Sequence, residues 1–223
     1  MAQGSWIKIK QRLNTGIEMK DWKGNYNSIY KTIGASNHTD KERQSEDYYA
    51  TSPEAIDKLL EIEEFHKEIW EPAVGGGHLA KRLAELGYDV FSSDIVDRGY
   101  PNTHIIDFLD ETYISEHYPR IKRDIITNPP YKFAEAFVRR ALEVVADGYK
   151  VAMFLKLTFL EGKARRKLFE EHPPKKVYVF SERIMCAKNG DFEAMKAGGG
   201  SCVAFAWYIF EKGYKGVTTI EWI

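Results

Sequence analysis

From residue 52 onward, short apolar runs alternate with longer amphipathic stretches. Ser52-Pro53-Glu54 reads as a helix start, with Ser52 able to cap and Pro53 suited to the first helical position. Ile56, Leu59, Leu60 and Glu63 follow at helical spacing, and the first three form the expected buried stripe. The pattern then predicts a strand at Glu68–Trp70, a helix near His78–Leu86, and strands at Asp89–Ser93, His104–Ile106 and Asp124–Thr127. A helix from about Phe133 to Ala146 precedes Lys150–Leu155, which is apolar on both faces as a central parallel strand should be. A helix at Lys163–Glu171 ends before Pro173-Pro174, and strands follow at Lys176–Phe180 and Ser201–Phe210. This alternation predicts an α/β protein with a doubly wound, Rossmann-like sheet.

The first 47 residues do not share the pattern. Their apolar periodicity is weak and they end in a polar run from Gly34 to Asp47, which predicts an arm and linker over 1–47 and a single domain over 48–223. The 223 residues are 43% hydrophobic and 29% charged, enough for a sizeable core. No apolar run approaches the roughly 18 residues of a membrane span, and the amino terminus lacks the apolar stretch of a secretory signal. Only Cys186 and Cys202 occur, which excludes a disulfide scaffold and a thiolate zinc cage and suggests a cytoplasmic protein without a metal.

Net charge is −1, but it is segregated. Residues 1–37 carry six basic residues against two acidic, and Lys156–Lys188 carries nine against four, while Glu54–Glu71 is acidic. Such separation either steers a polyanion to one face or is solvated surface.

In an open doubly wound sheet, ligands bind beyond the carboxyl ends of the strands. Four strand ends carry unusual residues. After the first, Glu71-Pro72-Ala73-Val74-Gly75-Gly76-Gly77 lets the backbone approach a ligand closely. Gly75, Gly77 and Ala80 also satisfy the dinucleotide pattern G-x-G-x-x-A, or the run is a tight turn. The second ends at Asp94, an acceptor for a ribose diol or else a helix cap. The third ends at Asp107-Phe108, an acceptor beside an aromatic plane or else a turn. At the fourth, Asn128-Pro129-Pro130-Tyr131 follows Ile125-Ile126-Thr127. Two prolines fix that corner, so the Asn128 side-chain oxygen and the Pro129 carbonyl can converge on a planar amine, with Tyr131 as a stacking face.

These residues resemble the class I S-adenosylmethionine-dependent methyltransferases, and most closely the N6-adenine DNA methyltransferases of γ-type motif order, in the stand-alone form typical of phages and prophages. In that family Asn-Pro-Pro-Tyr is the catalytic motif. Asp47 to Pro53, with Tyr48, Tyr49 and Thr51, resembles the cofactor-contacting segment that precedes the glycine loop. Glu71-Pro72-Ala73 with Gly75 and Gly77 resembles the first cofactor motif. Asp94, followed by Ile95, resembles the ribose acid, and Asp107-Phe108 the adenine-binding pair. The resemblance covers about Asp47 to the carboxyl terminus. It implies a mostly parallel methyltransferase sheet with one antiparallel strand near the carboxyl terminus, over a catalytic domain at 48–223. It also implies S-adenosyl-L-methionine as cofactor, DNA as partner and a monomer or weak dimer.

A base within a duplex must flip out to reach such a corner. Stacking on Tyr131 would recover about 1–3 kcal/mol of that cost. Phe192 is the candidate for the opposite wall, with Phe180 and Phe133 as rivals. Arg183, Lys188, Asn189 and Lys196, ahead of Gly198-Gly199-Gly200, make residues 181–200 either a phosphate-contacting loop or a disordered hairpin loop. No target-recognition domain is visible after Phe210. Rival readings are a methyltransferase of RNA bases or of protein glutamine, a nicotinamide dehydrogenase, and a non-catalytic nucleic-acid-binding module on the same frame.

Overall fold

Ile125 and Ile126 are both fully buried, yet they belong to different hydrophobic layers on opposite faces of one sheet. Only a central strand covered on both sides requires that, and it is why this stretch reads as continuously apolar. The computed structural model describes residues 48–197 and 203–223. The arm and linker expected at 1–47 lie outside the described residues, as do Gly198 to Cys202.

The elements in chain order begin with β1 (Tyr49–Thr51), α1 (Glu54–Leu60), β2 (Glu68–Glu71), α2 (His78–Glu85), β3 (Asp89–Asp94) and β4 (His104–Ile105). Next come α3 (Glu111–His117), β5 (Asp124–Thr127), α4 (Ala134–Val144), β6 (Lys150–Lys156) and α5 (Lys163–Glu171). The chain closes with β7 (Lys176–Val179), β8 (Cys186–Lys188), α6 (Phe192–Ala197), β9 (Phe205–Glu211) and β10 (Thr219–Trp222).

Eight strands form the main sheet in the order β4-β3-β2-β5-β6-β9-β7-β10. All neighbouring pairs are parallel except β6·β9 and β9·β7, so β9 is the one antiparallel strand, as expected. The β6·β9 register sets Val151 opposite Phe210 and Lys156 opposite Phe205. Phe205 therefore stands at the same edge as the carboxyl ends of the parallel strands.

Alternate residues on the central strands feed the two layers. Trp70, Val151, Met153, Leu155, Tyr208 and Phe210 pack with Val138 and Leu142 of α4 and Leu168 of α5. Ile69, Ala152, Phe154, Trp207 and Ile209 pack with Ile56 and Leu59 of α1 and Leu79 and Leu83 of α2. Trp207 also donates from Nε1 to the Ala55 carbonyl at 2.9 Å, which satisfies its buried indole. Among the described residues no helix is long and apolar enough to cross a membrane.

Several expectations need correction. Pro53 itself holds the capping position of α1, with φ −53° and ψ −30°, and no side chain caps that end. Leu60 is only half-buried, whereas Glu63, expected off the stripe, is 7% exposed. Its carboxylate accepts from Lys150 Nζ at 2.5 Å, Tyr178 Oη at 2.7 Å and Lys176 Nζ at 3.3 Å. A buried carboxylate persists only where such donors replace water. Residues 181–200, expected as a phosphate-contacting loop or a disordered hairpin loop, contain β8 and α6, and a further strand, β10, follows the expected strand at Ser201–Phe210. α3 was also unforeseen, although Asp110 caps it by accepting from the Tyr113 amide at 3.0 Å.

The basic surplus over Lys156–Lys188 is largely spent within the protein. Arg166 pairs with Glu170, Lys167 with Glu171, Lys175 with Glu211 and Lys176 with Glu63. Arg165 donates to the carbonyls of Thr158, Phe159 and Glu161, closing the turn before α5.

Candidate active site

β1 and β8 pair antiparallel as a ribbon separate from the main sheet, with Tyr49 opposite Lys188, Ala50 opposite Ala187 and Thr51 opposite Cys186. The ribbon is held at its ends by the Asn189 amide on the Tyr48 carbonyl at 2.8 Å and the Ser52 amide on the Met185 carbonyl at 3.0 Å. Its importance lies in what it brings to β5. Asn128, the first residue after that strand, donates from Nδ2 to the Tyr49 carbonyl at 2.7 Å and lies 3.6 Å from Cys186 Sγ. Tyr131 Oη lies 3.1 Å from the same sulfur.

With its nitrogen engaged, the Asn128 carboxamide turns its oxygen away from Tyr49. That oxygen is buried and has no hydrogen-bond partner among the described residues. Pro129 is buried, and among the described residues no main-chain amide donates to its carbonyl, whereas the Pro130 carbonyl accepts from Phe133 at 2.8 Å. Tyr131 opens a single 3-10 turn that leads into α4. Burial, reinforced by the neighbouring Cys186, pushes its phenol well above the ordinary range, so the hydroxyl is neutral at physiological pH. Its ring centroid lies 5.9 Å from Phe205 and 6.3 Å from Tyr49, and Lys156 Nζ stands 5.0 Å above it.

A second constellation surrounds the glycine loop. Gly75 and Gly77 have φ of +55° and +81°, which only glycine adopts without strain. A Cβ at Gly75 would come within 2.7 Å of the Tyr48 ring, and one at Gly77 would overlap the ring of Tyr100. Arg98 lies 5.2 Å over the Tyr48 ring. Asp94 is buried, accepting from the Gly75 amide at 2.9 Å and the Val96 amide at 3.1 Å, so it braces the loop against the end of β3. Glu71 lies beneath the loop, 2% exposed, with Oε2 unpartnered among the described residues. Burial raises its pKa well above the carboxylate range; the Ala80 amide opposes the shift and Asp94 adds to it. Ala73 is half-buried against the core and Ile95 is 61% exposed beside Asp94, an apolar surface at the edge of this site.

Other expected positions fall differently. Asp107 is exposed and accepts from the Leu109 amide at 2.9 Å, which is turn geometry. Phe108 offers no stacking face: its ring packs edge-on against Trp70 at 5.1 Å within the core, because the position alternates inward after Asp107. Phe192 begins α6 and lies edge-on to His78 at 5.5 Å, on the glycine-loop side rather than over Tyr131. Phe133 is exposed beneath Lys132. Lys188 is exposed on the ribbon opposite Tyr49. Arg183 joins Phe180, Ile184, Val203 and Phe205 around a cavity of about 260 Å³ at the carboxyl edge of the sheet.

The residues that the sequence did not single out are Cys186, Lys156, Tyr100 and Phe205. Only Tyr100 left a signal, an aromatic in the loop after a strand ending in an acid. A larger cavity, about 550 Å³ and lined by Trp70, Phe91, Tyr118 and Arg123, lies at the opposite edge, away from every strand carboxyl end. No three metal-ligating side chains gather among the described residues.

No family model matches the chain, and no curated protein matches it. Solved structures do. A predicted O-methyltransferase of Agrobacterium tumefaciens is 13% identical, with a TM-score of 0.52 over 72% of this chain and 81% of that one. A modification subunit described for a type I restriction enzyme of Vibrio vulnificus is 13% identical, with a TM-score of 0.53 over 79% of this chain and 46% of that one. A structure from work on conversion of a disulfide bond into a thioacetal group in echinomycin biosynthesis is 12% identical, with a TM-score of 0.53 over 75% of this chain and 84% of that one. The chain thus has the α/β fold of these proteins: a mostly parallel sheet with one antiparallel strand near its carboxyl terminus.

Proposed function

We propose that the chain is an S-adenosyl-L-methionine-dependent methyltransferase that modifies the N6 amine of adenine in DNA. The observation that carries this reading is the buried, unpartnered Asn128 Oδ1, fixed as an acceptor because Nδ2 is already bonded to Tyr49. A buried acceptor without a donor costs about 1–3 kcal/mol, so a site that keeps one is prepared for a ligand's N–H. The fold is shared by proteins described as an O-methyltransferase and as a restriction modification subunit, so it does not choose the acceptor. The Asn-Pro-Pro-Tyr corner favours an amine, and the description of the Vibrio vulnificus neighbour supports a nucleic acid.

The residues fit the cofactor. The Gly75–Gly77 loop lets the Tyr48 and Tyr100 rings lie directly against its backbone, and Glu71 keeps an unpartnered carboxyl oxygen beneath it. Glu71, Asp94, the loop and the Tyr48–Thr51 segment would hold S-adenosyl-L-methionine, with Ile95 and the Asp107-Phe108 backbone at the adenine end. When bound, this cofactor supplies an electrophilic methyl group.

The chain's own residues prepare the amine. The adenine amine nitrogen is a weak nucleophile because its lone pair is delocalised into the ring. Asn128 Oδ1 and the Pro129 carbonyl would accept its two hydrogens and favour the pyramidal form. These bonds strengthen as positive charge develops on nitrogen, so they stabilise the transition state more than the ground state. Tyr131 would supply aromatic surface for a flipped base, backed by the buried Phe205, with Lys156 Nζ 5.0 Å over its ring.

The test is to incubate unmethylated genomic DNA, total RNA and a glutamine-bearing protein separately with radiolabelled S-adenosyl-L-methionine. Digestion to N6-methyl-2′-deoxyadenosine from the DNA alone supports the proposal; label only in RNA bases or protein glutamine, or none, overturns it.

A further inference from the structure

We propose that Cys186 is a positioning residue for the reaction, its thiol locking the Asn128 carboxamide and the Tyr131 hydroxyl into one working arrangement. The inference rests on the reading of Asn128 as the acceptor of the substrate amine. An asparagine carboxamide is nearly symmetric in shape, and its two orientations differ only in which end donates. At Asn128 one Nδ2 hydrogen is taken by the Tyr49 carbonyl at 2.7 Å. The second faces Cys186 Sγ at 3.6 Å, within the longer range of sulfur acceptors. With both hydrogens occupied, Oδ1 is held on the side where it is buried without a partner.

The same sulfur lies 3.1 Å from Tyr131 Oη, so one atom joins the two polar side chains of the tetrapeptide. A thiol suits this junction because it can accept from Nδ2–H while it donates to or accepts from the phenol. Burial raises the thiol's pKa and keeps it protonated, which preserves both roles. Cys186 reaches the corner only because β8 pairs with β1, setting it opposite Thr51 and two residues from the register of Tyr49. The ribbon therefore supplies both hooks that hold Asn128. Deletion of the thiol leaves the Tyr49 contact but releases the phenol and one amide hydrogen.

The experiment compares Cys186→Ala and Cys186→Ser in the full chain, using radiolabelled S-adenosyl-L-methionine and unmethylated genomic DNA, with Asn128→Ala as a control. Loss of one working hydrogen bond predicts that Cys186→Ala lowers kcat about tenfold with the cofactor KM unchanged. Cys186→Ser, which retains a donor and an acceptor, should recover most of that loss. A packing role predicts the reverse, since serine fills the buried site no better than alanine and adds polarity. An independent readout is the Asn128 side-chain amide pair in nitrogen-15 spectra. It should move in Cys186→Ala and stay near its original position in Cys186→Ser. Unchanged kcat, unchanged amide signals in Cys186→Ala, or failure of serine to rescue would each overturn the positioning role. An active Asn128→Ala, or a wild type that labels no DNA, would instead overturn the functional reading, and the amide spectra would still decide whether Cys186 sets the carboxamide.

Discussion

The side-chain amide of Asn128 donates to the main-chain carbonyl of Tyr49, 79 positions earlier in the chain, across 2.7 Å. A main-chain carbonyl can only accept, so this bond assigns nitrogen to the Tyr49 side of the carboxamide and the buried, unpartnered oxygen to the other side. Asn128→Ala should lower methyl transfer by about 10²–10³, the cost of removing one preorganised transition-state partner. Asn128→Asp should be at least as damaging, because a carboxylate oxygen would face the Tyr49 carbonyl. Calorimetry should show cofactor binding largely retained in both, since Asn128 lies outside the glycine loop. Full turnover by either variant would remove the mechanism.

Glu71 gives a prediction with a defined pH sign. Its carboxyl is buried and its folded pKa is raised well above the ordinary 4.5. The folded state therefore retains a proton that the unfolded chain releases. Stability from this group is greatest below about pH 4.5, the ordinary value, and declines as pH rises toward the folded pKa. Glu71→Gln removes the titration. Chemical denaturation at pH 8 should show the variant more stable than wild type by on the order of 1 kcal/mol, with the gap closing near pH 4. A gap that does not change with pH would mean that Glu71 ionises in the folded protein at no cost.

How much of this was legible in the sequence depends on burial. β5 and β6 are covered on both faces, so their residue patterns had one reading. The β1·β8 ribbon has three residues a side, too few for any period to show, and its pairing spans more than 130 positions. β10 is exposed at all four positions, so no apolar alternation marked it. Glu63 was misjudged because its burial depends on donors 87 to 115 positions away, which no local pattern reports. Asn-Pro-Pro-Tyr was legible because two prolines dictate local geometry by themselves. Phe192 packs against His78 on the glycine-loop side, and an aromatic in a connecting segment carries no local signal of which edge it reaches.

The glycine loop separates two substitutions that look alike. Gly77 has φ +81°, and a Cβ there would overlap Tyr100, so Gly77→Ala combines backbone strain with a clash. It should destabilise the protein by about 1–3 kcal/mol and abolish cofactor binding. Gly76 lacks the positive φ, and the nearest obstacle is the far end of the Tyr48 side chain. Gly76→Ala alone should be milder, and the Gly76→Ala/Tyr48→Phe double variant should recover part of the loss. Thermal melts across this cycle measure the coupling; strict additivity would show that Tyr48 does not lie on the loop.

The carboxylate of Glu63 gives a two-sided pH prediction. Burial opposes its ionisation, but hydrogen bonds from Lys150, Tyr178 and Lys176 win, and its folded pKa is lowered from the ordinary 4.5. Its contribution is present above about 4.5 and lost as pH falls through the folded pKa. Lys176 is shifted the other way, raised from 10.5 first by its bond to Tyr178 and then by Glu63, with burial opposing. That contribution is complete below 10.5 and disappears as pH rises beyond it. Tyr178 is pushed up to about 12, mainly by burial, so above the ordinary 10.0 the unfolded chain again loses a proton that the fold retains. Wild-type stability should therefore fall off below about 4.5 and above about 10. Glu63→Gln leaves Lys150 and Lys176 without their counter-charge. Because both lysines remain partly exposed, the cost at pH 7 should be about 2 kcal/mol rather than the full price of breaking a wholly buried pair. Denaturation of both proteins at pH 3, 7 and 10.5 is the check, with the difference largest at pH 7 and smaller at both ends. A difference constant across that range would mean that the buried carboxylate acts through shape alone.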